Sequence, residues 1–255
     1  GLGDVYKRQE YNRGKGVPII FLHGHTANHN RWIYQIKYFS RMYHVVAYDH
    51  RGHGKSEKKG NYTIKQFSDD LLGIMDRLSI EKAIVAGHSM GGFISLRFAI
   101  DNPERVEKLI LLDTAPVISL SPLRTSFITL YSKVYANMYS LIDRIAGYFA
   151  RREALVAREA YPDLFEEYPK TPAETNIKAL QDFLNFDVRG ELKNIRAPTL
   201  VIVGTEDHLL PPELAEIMYK NIPDAKIEYI EGAHHSPNCE KPDEVNRVIE
   251  RFLNP

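Results

Sequence analysis

Ser89 stands in Gly87-His88-Ser89-Met90-Gly91, which has the spacing G-x-S-x-G. Five residues alone match by chance, so the context carries the weight. An apolar run, Ala83–Ala86, ends just before the motif, and a helix-period segment begins at about Gly91. That is the strand, turn and helix a nucleophile elbow requires. Gly87 and Gly91 leave room where a Cβ would clash in so tight a turn. A serine on such a turn is held above a sheet edge, facing solvent and substrate. Its hydroxyl is a poor nucleophile until a base takes the proton.

A serine nucleophile needs that base nearby, and an acid to orient the base. The stretch EGAHHSPN, Glu231–Asn238, offers His234 and His235 side by side. Two aspartates follow apolar runs. Asp207 lies in Gly204-Thr-Glu-Asp207 after Thr199–Val203, and Asp113 follows Val106–Leu112. Glu206 would point away from Asp207 and is expected to be solvated. A metal reading fails on the pattern. His23-Gly-His25-Thr-Ala-Asn-His29 has Ala27 and Asn28 where H-x-H-x-D-H needs Asp and His. No H-E-x-x-H occurs, and one cysteine cannot build a Cys-rich zinc site. Neither metal nor cofactor is expected.

The elements that must position these residues are legible as alternation. Short β-branched apolar runs (Val17–Leu22, His44–Tyr48, Ala83–Ala86, Val106–Leu112, Thr199–Val203, Ala225–Ile230) read as strands, several of them near-continuously apolar as strands buried on both faces should be. Between them, Ile64, Phe67, Leu71, Leu72, Ile74, Met75 and Leu78 trace one helical face, with Thr63 as N-cap. Further helices are expected over Phe93–Asn102 and Pro242–Phe252. Strand–helix alternation predicts an α/β fold, with a mostly parallel central sheet flanked by helices. The rhythm breaks once. Residues 117–185 hold no convincing strand and read as a helical cap inserted into a core of 1–116 and 186–255. Phe127, Tyr131, Tyr135 and Met138 form a stripe that could line a substrate pocket, or could pack the insertion's own core.

Bulk properties exclude other classes. The chain has 255 residues, enough for one sizeable core, with 44% hydrophobic and 26% charged residues. Lys+Arg and Asp+Glu are both 33, so no global basic field exists for nucleic acid or an anionic membrane. The one cysteine, Cys239, cannot form an intrachain disulfide, which fits a reducing, cytoplasmic setting. No run of about 18 apolar residues predicts a membrane span. The opening GLGDVYKRQE lacks the apolar core of a signal peptide, reads poorly as a strand and lacks a starting Met. A trimmed or altered start is expected there.

From Val17 onward the chain resembles the α/β-hydrolase fold superfamily. Besides the elbow, four blocks carry the resemblance in order: Phe21-Leu-His-Gly-His25; Asp49-His-Arg-Gly-His-Gly-Lys-Ser56; Gly204-Thr-Glu-Asp207; and Gly232-Ala-His-His235. The resemblance implies a nucleophile, acid, histidine order along the chain. It makes Ser89 the nucleophile and Asp207 the acid, with Asp113 the rival position. It implies an oxyanion hole from the backbone N–H groups of Met90 and His25. His23 and Gly24 would shape the loop, and Arg51 and Ser56 would be structural. The superfamily's usual G-x-G-H aligns with Gly232-Ala-His-His235. His235 thereby becomes the base, and His234, where glycine is usual, is expected to point outwards.

A serine nucleophile implies an acyl-enzyme and acyl transfer to water, with a small-molecule ester as the expected substrate. Lactones and thioesters fit the same chemistry. A hydrolase of carbon–carbon bonds in vinylogous diketones, or a small-molecule receptor on the same fold, are the rival readings.

Overall fold

The computed structural model describes residues 8–11, 16–118 and 173–254. Its sheet has seven strands: β1 (Arg8–Tyr11), β2 (Ile19–Leu22), β3 (Val45–Tyr48), β4 (Ala83–His88), β5 (Val106–Leu112), β6 (Thr199–Gly204) and β7 (Ala225–Ile230). Their order is β1-β3-β2-β4-β5-β6-β7, with β2 to β7 parallel and β1 antiparallel to β3. The helices are α1 (Ile33–Phe39), α2 (Ile64–Arg77), α3 (Met90–Asp101), α4 (Ala173–Leu184), α5 (Pro212–Asn221) and α6 (Pro242–Leu253). A single turn, Pro237–Glu240, precedes α6.

Strands β2 to β6 are buried on both faces over most of their length, which explains their near-continuous apolar runs, while β7 is largely half-exposed. Alternate residues enter opposite cores. Ile20, Leu22, Val85, Leu109, Leu111, Val201 and Val203 pack with α2, α3 and α5. Ile19, Phe21, Ile84, Ile110, Leu112, Leu200 and Ile202 pack with α1 and α6. Each such fully buried Leu, Ile or Phe contributes about 1.5–3 kcal/mol of transfer free energy. Among the described residues no helix is long and apolar enough to cross a membrane.

Three departures from the sequence expectation bear on the sheet edge and the elbow. The opening stretch does form a strand: Arg8–Tyr11 pairs with Val45–Tyr48 across β1 and β3. The sequence RQEY carries no apolar alternation, and the strand rests on the backbone ladder at the sheet's edge. β4 runs past Ala86 to His88, because Gly87 and His88 still pair with Leu111 and Leu112. Helix α3 therefore begins at Met90, directly after Ser89.

Thr63 caps α2 as the sequence predicts, its Oγ1 accepting from Gln66 N–H at 3.1 Å. A second cap comes from α4: Asp182 Oδ2 accepts from Ile64 N–H at 2.6 Å. Phe183 and Phe186 also stack on Phe93 of α3, with ring centroids 6.1 and 5.1 Å away. Val117 bridges Asp187, and Val188 N–H donates to Pro116 O at 2.9 Å. The two chain ends that flank residues 117–185 are thereby brought together.

Candidate active site

The parallel sheet delivers its chemistry at the carboxyl ends of β2, β4, β6 and β7, where the connecting loops gather. Ser89 follows β4 and adopts φ 53°, ψ −120°. An L-residue is strained there by about 1–3 kcal/mol, so the surroundings must hold it. They do so from three sides. Ser89 N–H donates to Leu112 O at 3.0 Å, Thr114 Oγ1 donates to Ser89 O at 2.9 Å, and Gly92 N–H donates to the same carbonyl at 2.8 Å. The glycines are required by space. A Cβ on Gly87 would collide with Gly91 O and Ser95 Oγ, and one on Gly91 would collide with Leu22 O.

His235 follows β7 and reaches Ser89 across the loops. His235 Nε2 lies 3.0 Å from Ser89 Oγ, and His235 Nδ1 lies 2.8 Å from Asp207 Oδ2. A carboxylate oxygen only accepts, so Nδ1 carries the proton and Nε2 offers its lone pair to the serine hydroxyl. Asp207 is fully occupied. Its Oδ1 accepts from Leu209 N–H at 2.8 Å and Leu210 N–H at 3.0 Å, and its side chain is 0% exposed. The loops that carry Asp207 and His235 are also stitched together. Glu206 N–H donates to Ala233 O at 2.9 Å, and Gly232 N–H donates to Thr205 Oγ1 at 2.8 Å.

His234 points outwards, its side chain 61% exposed. It is not bare in solvent. Its Nε2 lies 3.3 Å from Glu206 and its Nδ1 3.1 Å from Glu240, so Glu206, expected to be merely solvated, is half of a clamp. Position 234 does not require glycine, because the left-handed residue of this loop is Gly232 at φ 63°. Asp113 lies close by, a carboxylate oxygen within 4.8 Å of ring nitrogens of His88 and His235, but it makes its hydrogen bond away from them. Its Oδ1 accepts from Gly204 N–H at 2.8 Å while Oδ2 has no hydrogen-bond partner among the described residues. Burial pushes its carboxyl pKa well above the usual carboxylate range.

The loop after β2 lies against the elbow. A Cβ on Gly24 would sit 3.2 Å from both Ser89 Cβ and His88 Nδ1. Met90 N–H is among the first amides of α3, which a helix cannot satisfy internally, and the helix N-terminus adds a favourable dipole. The loop is braced by histidines. His23 Nδ1–H donates to Gly24 O at 2.7 Å, His50 N–H donates to His23 Nε2 at 3.0 Å, and His50 Nε2–H returns to His23 O at 3.1 Å. The His25 ring packs edge-on to Phe183, centroids 5.2 Å apart.

The D-x-R-G-x-G-x-S loop is held by hydrogen bonds within itself and to its neighbours His29 and Asp70. Asp49 Oδ1 accepts from His29 N–H at 2.9 Å and lies 2.7 Å from its Nδ1, while Oδ2 accepts from Lys55 N–H at 2.9 Å. Arg51 pairs with Asp70 through two bonds of 2.7 and 2.6 Å, and Ser56 Oγ donates to Asp49 O at 2.6 Å. Phe127, Tyr131, Tyr135 and Met138 lie outside the described residues.

One site residue escapes the sequence reading. His88, the first x of G-x-S-x-G, is 2% exposed, and its Nε2 lies 2.7 Å from His235 O. Its ring sits 5.2 Å from that of His235. The signal was its place as the last residue of β4. Among the described residues, one group of three has metal-ligand spacing: His88, Asp113 and His235, within 4.8 Å of one another. Both ring nitrogens of His235 are already engaged by Asp207 and Ser89, so the group is part of this hydrogen-bonded centre.

A family model described as alpha/beta hydrolase fold matches residues 17–242. The chain is 30% identical over 260 residues to proline iminopeptidase PfmaB of Pestalotiopsis fici, covering 92% of this chain and 91% of that one. It is 29% identical over 247 residues to 3-oxoadipate enol-lactonase 2 of Acinetobacter baylyi, covering 92% and 88%. A thermophilic esterase from Thermogutta terrifontis superposes with a TM-score of 0.82 at 27% identity, over 97% of this chain and 92% of that one. With the family model spanning most of its length, the chain belongs to the α/β-hydrolase fold family.

Proposed function

We propose that the protein is a serine hydrolase of carboxylic esters, working through an acyl-enzyme. One observation carries this reading: the continuous relay from Ser89 Oγ through His235 to Asp207, with steps of 3.0 and 2.8 Å. In acylation, Ser89 Oγ attacks the ester carbonyl carbon as its proton passes to His235 Nε2. Asp207 holds the resulting imidazolium. The backbone N–H groups of Met90 and His25 are the proposed donors to the oxyanion. Collapse expels the alcohol, which leaves with the proton from His235. Water then attacks the acyl-Ser89 with His235 again as base, releasing the acid. These residues need neither metal nor cofactor for that sequence.

Residues 117–185 are proposed as an inserted cap segment. The pairing of Val117 with Asp187, which joins the ends of that segment, supports the assignment. The partner is a small molecule. Nucleic acid and membrane are not, since the chain carries no net charge. A cytoplasmic location fits a chain whose one cysteine, Cys239, is buried and unpaired.

A lactone is the second reading, favoured by the relative named 3-oxoadipate enol-lactonase 2, because a lactone is an internal ester open to the same attack. A panel of p-nitrophenyl esters and simple lactones, read by kcat/KM, tests both. Ester turnover that Ser89→Ala abolishes supports the first reading, and a preference for lactones supports the second. If neither class turns over while a small molecule raises Tm, the fold serves as a receptor.

A further inference from the structure

Among the described residues, three hydrogen bonds hold His235 at its base position, and they differ in what happens to them during catalysis. The bond from Nδ1 to Asp207 persists. The bond between Nε2 and Ser89 Oγ is consumed, because an acylated serine has no hydroxyl proton to donate. The third is the contact of His88 Nε2 with His235 O at 2.7 Å. A carbonyl accepts, so His88 donates there, and its other nitrogen, Nδ1, is left buried without a hydrogen-bond partner among the described residues. His88 stays neutral: burial first, and then the neighbouring His235, push its pKa well below the ordinary value. It therefore has no proton to exchange with the substrate.

Resting on the ester-hydrolase reading, we propose that His88 is a positioning residue that keeps His235 aligned in the acyl-enzyme, when the serine can no longer do so. Donation to the His235 carbonyl fixes the peptide plane from which the imidazole hangs. The acid loop is stitched to the histidine loop by backbone bonds, Glu206 N–H to Ala233 O among them. Among the described residues, the hydrogen bonds from the elbow to His235 are the reactive one from Ser89 and the one from His88. Once Ser89 is acylated, only the latter still ties the nucleophile's strand to the base. The base must then activate water, so deacylation depends on His88 more than acylation does.

The test compares His88→Phe, which keeps a ring and loses the donor, with His88→Gln, which keeps an N–H donor of similar reach. Activity is measured with p-nitrophenyl esters, and active sites are counted by phosphonate titration. In His88→Phe, kcat is expected to fall about a hundredfold, the scale of a small misplacement of a catalytic group. kcat/KM, which reports acylation, is expected to fall tenfold or less, with KM dropping in step. His88→Gln should recover most of kcat, and the titration should count full sites in both. Equal falls in kcat and kcat/KM, or equal losses in Phe and Gln, would overturn the proposal. If His88→Phe does not fold, His88→Met takes its place under the same criteria. A wild-type protein that turns over no ester would instead defeat the ester-hydrolase reading itself.

Discussion

Ser89 Oγ and His235 Nε2 lie 3.0 Å apart although 146 residues separate them in the chain. That proximity is built by a parallel sheet that brings the ends of β4 and β7 to one edge. Under the proposed roles, Ser89→Ala removes the atom that forms the acyl-enzyme. Its kcat should fall by at least about three orders of magnitude with little change in Tm. A steady-state assay beside a thermal melt checks this, and near-wild-type turnover would refute the nucleophile.

Asp207 and Asp113 make different demands. Asp207→Asn should lower kcat by about 10²–10⁴-fold, since the amide favours the wrong tautomer of His235. Asp113→Asn should cost little activity, because its Oδ1 contact is with Gly204 N–H, which an amide oxygen can still accept. The reverse order of effects would move the acid to the end of β5.

Asp113 also predicts a pH effect on stability. Its carboxyl pKa is raised in the folded state by burial, so the folded chain holds that proton more tightly than the unfolded chain. The contribution is present below the unfolded value near 3.8 and is lost as pH rises through the folded value. Asp113→Asn should therefore gain in Tm relative to wild type at neutral pH, with the gain vanishing in acid. A gain that is the same at all pH values would contradict this.

Buried histidines act in the opposite sense. Burial lowers His50 from 6.5 to about 3 and His53 from 6.5 to about 4. The unfolded chain takes up these protons first, so stability should fall as pH drops from about 6.5 towards 4. His53→Phe removes one such group, and its Tm should decline less steeply over that window than wild type. Parallel Tm profiles would count against the burial argument.

His234 gives a prediction that tests the register of its loop. His235→Ala should abolish turnover, whereas His234→Gly should keep kcat within about tenfold, because its bonds are exposed contacts to Glu206 and Glu240. Reversed effects would put the base at 234.

How much of this is legible in the sequence follows from what each residue depends on. The elbow is readable because its glycines answer a local demand for space, as Gly87 and Gly91 do. Strands β2 to β6 are readable because burial on both faces leaves largely apolar runs, whereas β7, AKIEYI, is readable from its alternation. Arg8–Tyr11 is not, since an edge strand of polar residues draws its stability from the ladder with β3. His88 is hidden for a different reason. Its role depends on β4 extending two residues beyond the apolar run, and on a carbonyl 147 residues away. No spacing rule encodes that contact. The same holds for the Glu206–His234–Glu240 clamp, which exists only once two loops meet.

The central claim is that Ser89 carries the acyl group. Rapid acid quenching during turnover of a p-nitrophenyl ester, followed by peptide mass spectrometry, tests it most directly. The account predicts an acyl adduct on the peptide containing Ser89, accumulating more in His88→Phe and absent from Ser89→Ala. Ester turnover with the adduct on another residue, or undiminished turnover by Ser89→Ala, would contradict it.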